Sequence, residues 1–200
     1  KNKYSLIKTE TITGCEEFIK EYLTYFEGSL CLNTCDGLLI ITGKNYNDLY
    51  FSSHKDENIT KIRTFEYKYK FGGLIITPEN NLIILGGYEN KNVELLNIEE
   101  NQEVTLPSLL SERVNSSFSF IGNILCVLFG KGNQTIEYLD MNNLDKEWSL
   151  VDYSTNLGNN MKINLDGHAS IPINNNEIII IGGTKNNKVH LFNFSSKYVE

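Results

Sequence analysis

The sequence predicts an all-β chain built from four repeats of a short antiparallel sheet, and three columns of residues carry that prediction. Four glycines, Gly43, Gly87, Gly130 and Gly183, each follow a short apolar run, at intervals of 44, 43 and 53 residues. Positions five to two before each glycine are apolar in every copy: Leu38–Ile41, Leu82–Leu85, Leu125–Leu128 and Ile178–Ile181. Six residues after it an apolar-x-apolar pair begins: Leu49/Phe51, Val93/Leu95, Ile136/Tyr138 and Val189/Leu191. Fourteen residues before it the residue is small: Ser29, Gly73, Ser116 and Ala169. The columns stay in phase without a gap, which chance does not produce.

Each repeat reads as consecutive strands. The first strand covers Ser29–Asn33, Gly73–Thr77, Ser116–Ile121 and Ala169–Ile173. It leads to a turn such as Asp36-Gly37, Gly122-Asn123 or Asn174-Asn175-Asn176, residue types that tolerate the positive φ of a tight hairpin. The second strand is the apolar run. Having no alternation, it requires burial on both faces, which an antiparallel sheet obtains only between neighbouring sheets. The third strand alternates. A weaker fourth follows at Ile59–Phe65, Glu103–Leu106 and Glu147–Val151. Pro172 in a first strand implies that this strand is a sheet edge, where a missing N–H is tolerated.

These units resemble Kelch repeats. The marks are Gly86-Gly87 and Gly182-Gly183 closing the second strand, the apolar or aromatic residue at fixed distance on the third, and Trp148 on the fourth. Arg113 in SERVNSSFSF, and Gly167-His168-Ala169-Ser170, match the segment that opens the first strand of such a repeat. Unit one has Thr42-Gly43 and unit three Phe129-Gly130 in place of a diglycine, and a single unit carries the Trp. The resemblance implies a Kelch-type β-propeller with four blade-like repeats, near residues 28–67, 68–107, 113–152 and 167–200. It makes Gly43, Gly86, Gly87, Gly130, Gly182 and Gly183 the structural glycines, with Arg113, Trp148 and His168 as further motif residues; His168 reads as a hydrogen-bonding residue at a blade top.

Residues 14–27 do not repeat. Cys15, Phe18, Ile19, Tyr22, Leu23 and Phe26 share one helical face, with a capping box at Thr13/Glu16 and a stop at Gly28. An amphipathic helix inserted between blades is expected there, packed on the rim. Lys1–Ile12 reads as the fourth strand of a preceding blade. Trp148 stands 18 residues after Gly130, and the matching position after Gly183 falls past Glu200, so the last blade is expected to lack a complete fourth strand. The chain then reads as an arc of a larger ring, with a closed four-bladed ring as the other arrangement.

Composition narrows the function. With 18 basic against 25 acidic residues the net charge is −7, which disfavours a binder of nucleic-acid phosphates. The basic cluster Lys61, Arg63, Lys68 and Lys70 reads as a solvated strand. No apolar run reaches the length of a membrane span. The N-x-S/T sequons at Asn58, Asn115, Asn133 and Asn193 are what 26 Asn and 27 Ser plus Thr give by chance. Cys15, Cys31, Cys35 and Cys126 form no CxxC pair, which points to a reducing, cytoplasmic setting. His54, His168 and His190 fall at different strand positions, so neither a metal nor a catalytic triad is expected, and no catalytic residue or cofactor is assigned. A diglycine followed by strand cannot cradle a phosphate at a helix N-terminus. The expectation is a non-enzymatic protein-interaction scaffold, without nucleic-acid or membrane contact. Similar Kelch proteins serve as ubiquitin-ligase substrate receptors, as cytoskeletal or ciliary components and as adaptors. The rival is a Kelch-like propeller enzyme, copper oxidase-like or sugar-binding.

Overall fold

A computed structural model describes residues 27–55, 59–155, 163–184 and 187–200, and these are all-β. The chain forms two compact units, one up to Glu66 and one over Tyr67–Glu200. The helix expected at 14–27 and the strand expected at Lys1–Ile12 lie outside the described residues, apart from Glu27, which sits in a turn.

The first unit holds sheet one, a meander of β1 (Leu30–Asn33), β2 (Gly37–Thr42), β3 (Asp48–Ser53) and β4 (Ile59–Thr64). Its apolar run supplies the buried Leu39, Ile40 and Ile41. At the outer side Lys61 pairs with Asp48 at 2.7 Å, and Arg63 lies over the Phe65 ring.

The second unit holds three sheets. Sheet two is β5 (Gly73–Ile76), β6 (Leu82–Leu85), β7 (Val93–Asn97) and β8 (Gln102–Leu106). Sheet three is β9 (Ser117–Ile121), β10 (Ile124–Leu128), β11 (Ile136–Asp140) and β12 (Ser149–Val151). Sheet four takes β13 (Ser154–Thr155) from the incoming connector and continues with β14 (Ala169–Pro172), β15 (Glu177–Ile181), β16 (Val189–Asn193) and β17 (Tyr198–Val199). The first strand of every meander is an edge, as Pro172 requires.

The sheets of this unit stack through one rule. Ile83, Leu85 and Val93 of sheet two share a core with Leu125, Val127 and Leu139 of sheet three, closed by Trp148. Cys126, Leu128 and Ile136 of sheet three share the next core with Ile178, Ile180 and Phe192 of sheet four. Alternate residues of the second strand of sheet three therefore face opposite neighbours, which is why its run is apolar without a break. The edge strands also touch. A Cβ on Gly73 would enter the Phe118 ring, and the Ser119 and Ser170 hydroxyls meet at 2.8 Å.

Two expectations need correction, those for Trp148 and for the small-residue column. Trp148 precedes β12 instead of lying on it, and its indole N–H reaches back to the Pro107 carbonyl at 2.7 Å. Sheet four ends in the two-residue β17, whose outer edge is taken by β13 in parallel. The small-residue column is not one structural column. Gly73 and Ala169 open their strands opposite Leu85 and Ile181, whereas Ser29 and Ser116 stand one residue before theirs. The hairpins differ in length by one residue, and a one-residue slip moves a side chain to the other face.

Candidate functional site

In each meander the second strand runs down into the glycine turn, and the fourth runs down into the connector to the next sheet. In the second unit the glycine turns and connectors therefore gather at one end of the stack of three sheets.

The slipped register has its origin here. Each connector passes through one left-handed residue before its first strand: Gly28, Phe71, Asn115 and Gly167, with φ of 95°, 59°, 53° and 68°. In the second unit these residues hand a hydrogen bond from sheet to sheet. The Asn115 amide donates to Phe71 O at 3.0 Å, and the Gly167 amide donates to Asn115 O at 2.9 Å. Two residues before each stands a buried side chain: Tyr69, Arg113 and Leu165.

The partner of this buried side chain lies on the third strand, at the middle position of the apolar-x-apolar pair. In sheet three it is Glu137. The Arg113 Nη2 donates to Glu137 Oε1 at 2.6 Å, and both side chains are fully buried. Glu137 also accepts from Leu110 N at 2.8 Å and Ser111 Oγ at 2.7 Å. Arg113 spends its other donors on the glycine turn, reaching Phe129 O at 2.8 Å, Thr135 O at 3.0 Å and Thr135 Oγ1 at 2.8 Å; its Nε has no partner. Burial pulls the guanidinium pKa down, while the charge and hydrogen bond of Glu137 oppose this. In sheet two the counterparts are Tyr69 and Glu94, both buried, and burial first and the Glu94 hydrogen bond second push the phenol's pKa up. In sheet four they are the apolar Leu165 and the half-buried His190, whose Nδ1 lies 3.2 Å from Glu200 O.

The connectors also bind the preceding sheet. Gly87 N donates to Arg113 O at 2.9 Å, and Leu109 N to Lys91 O at 2.9 Å. Gly130 N donates to Leu165 O at 3.0 Å. The repeat glycine is thus the point where a turn touches the next connector. Gly86, Phe129 and Gly182 before it are left-handed too, so the diglycine is a run of two left-handed residues that Phe129 also adopts, at φ 50°. Thr42, ahead of Gly43, does not.

His168 departs from its expected role. It is buried, its ring sits edge-on to Phe129 at 5.7 Å, and neither nitrogen has a well-aligned hydrogen-bond partner. Burial takes its pKa down to about 4; the Leu128 backbone and Asp166 oppose this in part. His54 lies just past β3, with Nε2 3.1 Å from Thr34 O. Among the described residues no group of His, Cys, Asp and Glu could hold a metal. Cys31, Cys35 and Cys126 are free thiols. Three sequon amides are engaged in the fold: Asn115 with Asp166, Asn133 with Ser111 and Asn193 with Glu177. Asn58 lies outside the described residues.

Among the described residues, Tyr88 (57% exposed) and Leu110 (43%) stand out to solvent on adjoining segments of this end. They project from a glycine turn and a connector that the Leu109–Lys91 bond joins. The repeat motif includes Arg113 but not its partner Glu137. The signal available for Glu94 and Glu137 was a carboxylate on a strand buried on both faces. No protein-family model matches the chain, and no curated protein matches it.

Proposed function

We propose that this chain is a non-enzymatic protein-interaction scaffold built on a Kelch-type β-propeller, an adaptor or structural component of a larger complex. The observation that carries this reading is the interlocked turn end. Ion pair, left-handed residues and backbone bonds hold its loops rigid, and rigid loops bearing exposed apolar side chains recognise a partner at low ordering cost. Tyr88 is the anchor: a tyrosine contributes large contact area and few rotatable bonds. The partner is a protein presenting a small apolar pocket. The cytoskeletal, ciliary and ubiquitin-ligase settings all belong to this class.

The test is affinity enrichment with the 200-residue chain and with a Tyr88→Ser/Leu110→Ser variant. A specific protein retained by the parent and lost by a variant of unchanged melting temperature supports the proposal. Equal retention by both removes the turn end as the recognition surface. A catalytic turnover abolished by a turn-end substitution overturns the scaffold reading.

A further inference from the structure

Each sheet has an outer edge formed by its last strand, and these edges are not protected alike. In sheet one β4 carries Lys61 and Arg63, and its register with β3 is broken at Leu49/Tyr50. In sheet three β12 has only three residues. In sheet four β13 lies along β17, with Ser154 opposite Tyr198 and Thr155 opposite Val199. Cations on the edge, bulges, shortness and cover are the devices that keep a sheet edge from pairing with another chain. The β8 edge of sheet two has none of them. Its five residues, Gln102–Leu106, keep unbroken register with β7, include no Lys, Arg or Pro, and pair with no further strand among the described residues. The direction of its backbone groups follows from β7. The Gly86 amide donates to Asn92 O, so Asn92 is turned to β6 and the next residue, Val93, to β8. The groups of β8 that face β7 are then those of Leu106 and Val104, opposite Val93 and Leu95. Thr105 between them turns its N–H and C=O to the outside, and the side chain of Val104 beside it is 52% exposed.

We infer that the β8 edge takes up an extended segment of a partner protein as an added strand, a basic segment in which Lys or Arg alternates with β-branched residues. In this mode of recognition main-chain bonds supply the affinity and alternate side chains the selectivity. Sheet four shows the arrangement within the chain itself, since β13 is an extended segment laid along an outer edge. On β8 the β-branched residues of the segment lie on the face of the exposed Val104, where cross-strand neighbours reward branched side chains. The sign of the charge is set by Glu99, Glu100 and Glu103, at the turn into β8 and on the strand; no Lys, Arg or His stands between Lys91 and Arg113 to offset them. An acidic segment meets like charge there. The edge is distinct from the exposed Tyr88 and Leu110, so this inference does not rest on the turn-end reading.

Fluorescence anisotropy of a labelled peptide alternating Lys and Val, titrated with the 200-residue chain, tests this. The expected result is saturable binding that a peptide alternating Glu and Val does not show. Thr105→Pro removes the outward donor, breaks no bond to β7 and leaves the net charge unchanged, so it should weaken binding at least about tenfold. N-methylation of alternate peptide amides should abolish binding to the parent chain in one phase and spare it in the other, which keeps the test independent of how the proline variant folds. Absence of saturable binding overturns the inference. Binding indifferent to the phase of methylation is charge attraction alone and overturns it as well.

Discussion

In sheet two the buried carboxylate of Glu94 meets the phenol of Tyr69; in sheet three its counterpart Glu137 meets the guanidinium of Arg113. Position, burial and task are the same, since each pair docks an incoming connector on its own third strand. The chemistry differs. Tyr69 offers a single hydroxyl donor, whereas Arg113 neutralises the carboxylate and ties down the Phe129–Thr135 turn with its remaining donors. Breaking the two pairs should therefore have unequal consequences. A lone buried guanidinium is costly in a way that a lone buried phenol is not.

The largest effect follows directly. Glu137→Leu strands Arg113 and should destabilise by about 3–5 kcal/mol in chemical denaturation. Adding Arg113→Leu should return much of that loss, because replacing both members of a buried pair by apolar groups is often close to neutral. Glu94→Leu should cost less, about 1–3 kcal/mol, since Tyr69 is left with an unmet hydroxyl and no charge. Equal costs for Glu94→Leu and Glu137→Leu would erase the distinction between the sheets.

The repeat glycines differ in the same graded manner. A Cβ on Gly87 would stand 2.8 Å from Lys70 O and 3.1 Å from Tyr69 C, both backbone atoms of the connector entering its own sheet. At Gly183 the nearest atoms are Asp166 O at 3.3 Å and Asp166 N at 3.5 Å. Both have a left-handed φ, so valine strains either. At Gly87 the backbone must give way by more, the contact being about half an ångström tighter. Gly87→Val should cost roughly 2–3 kcal/mol and Gly183→Val nearer 1–2 kcal/mol. Thermal melts showing Gly183→Val the more damaging would contradict this ranking.

The all-β fold and its strands were legible because an antiparallel strand buried on both faces has no polar alternative along its run. The first-strand register was not. It is set by hairpin length and by a left-handed residue, and Phe71 and Asn115 take that conformation without glycine's signature. The repeat spacing puts Trp148 on a fourth strand, yet its indole N–H is drawn to Pro107, 41 residues away. His168 looked like a hydrogen-bonding loop residue, but the slipped register puts it where sheets two and three have Gly72 and Ser116, under Phe129. Separations of 24 residues for Arg113–Glu137 and 51 for Asn115–Asp166 explain why neither pair was found by spacing.

His168 gives sheet four a pH dependence. Folded, the imidazole takes a proton only below about 4; in the unfolded chain it does so below about 6.5. Between those values the unfolded state binds more protons, so stability falls as pH falls through the window. The loss should reach about 1–2 kcal/mol at pH 5 relative to pH 7, at up to about 1.4 kcal/mol per pH unit. His168→Leu should flatten the curve between pH 7 and 5, where few carboxylates yet titrate. A parent and variant with parallel curves would show that the ring is solvated.

The smallest effect separates the two edge-strand contacts. Sheets two and three meet there through Gly73 against the Phe118 ring, a contact with no room for a methyl group, whereas sheets three and four meet through the Ser119 and Ser170 hydroxyls. Ser119 is buried and Ser170 half-buried, and Ser170 also lies 3.3 Å from Phe118 O. Ser170→Ala removes one neutral hydrogen bond at a site that water can reach, which should cost no more than about 1 kcal/mol. Ser119→Ala breaks the same bond, so the double substitution should cost less than the two singles combined. Strict additivity would mean that the hydroxyls do not couple the sheets. Gly73→Ala, by contrast, has to displace an aromatic ring and should exceed either serine change.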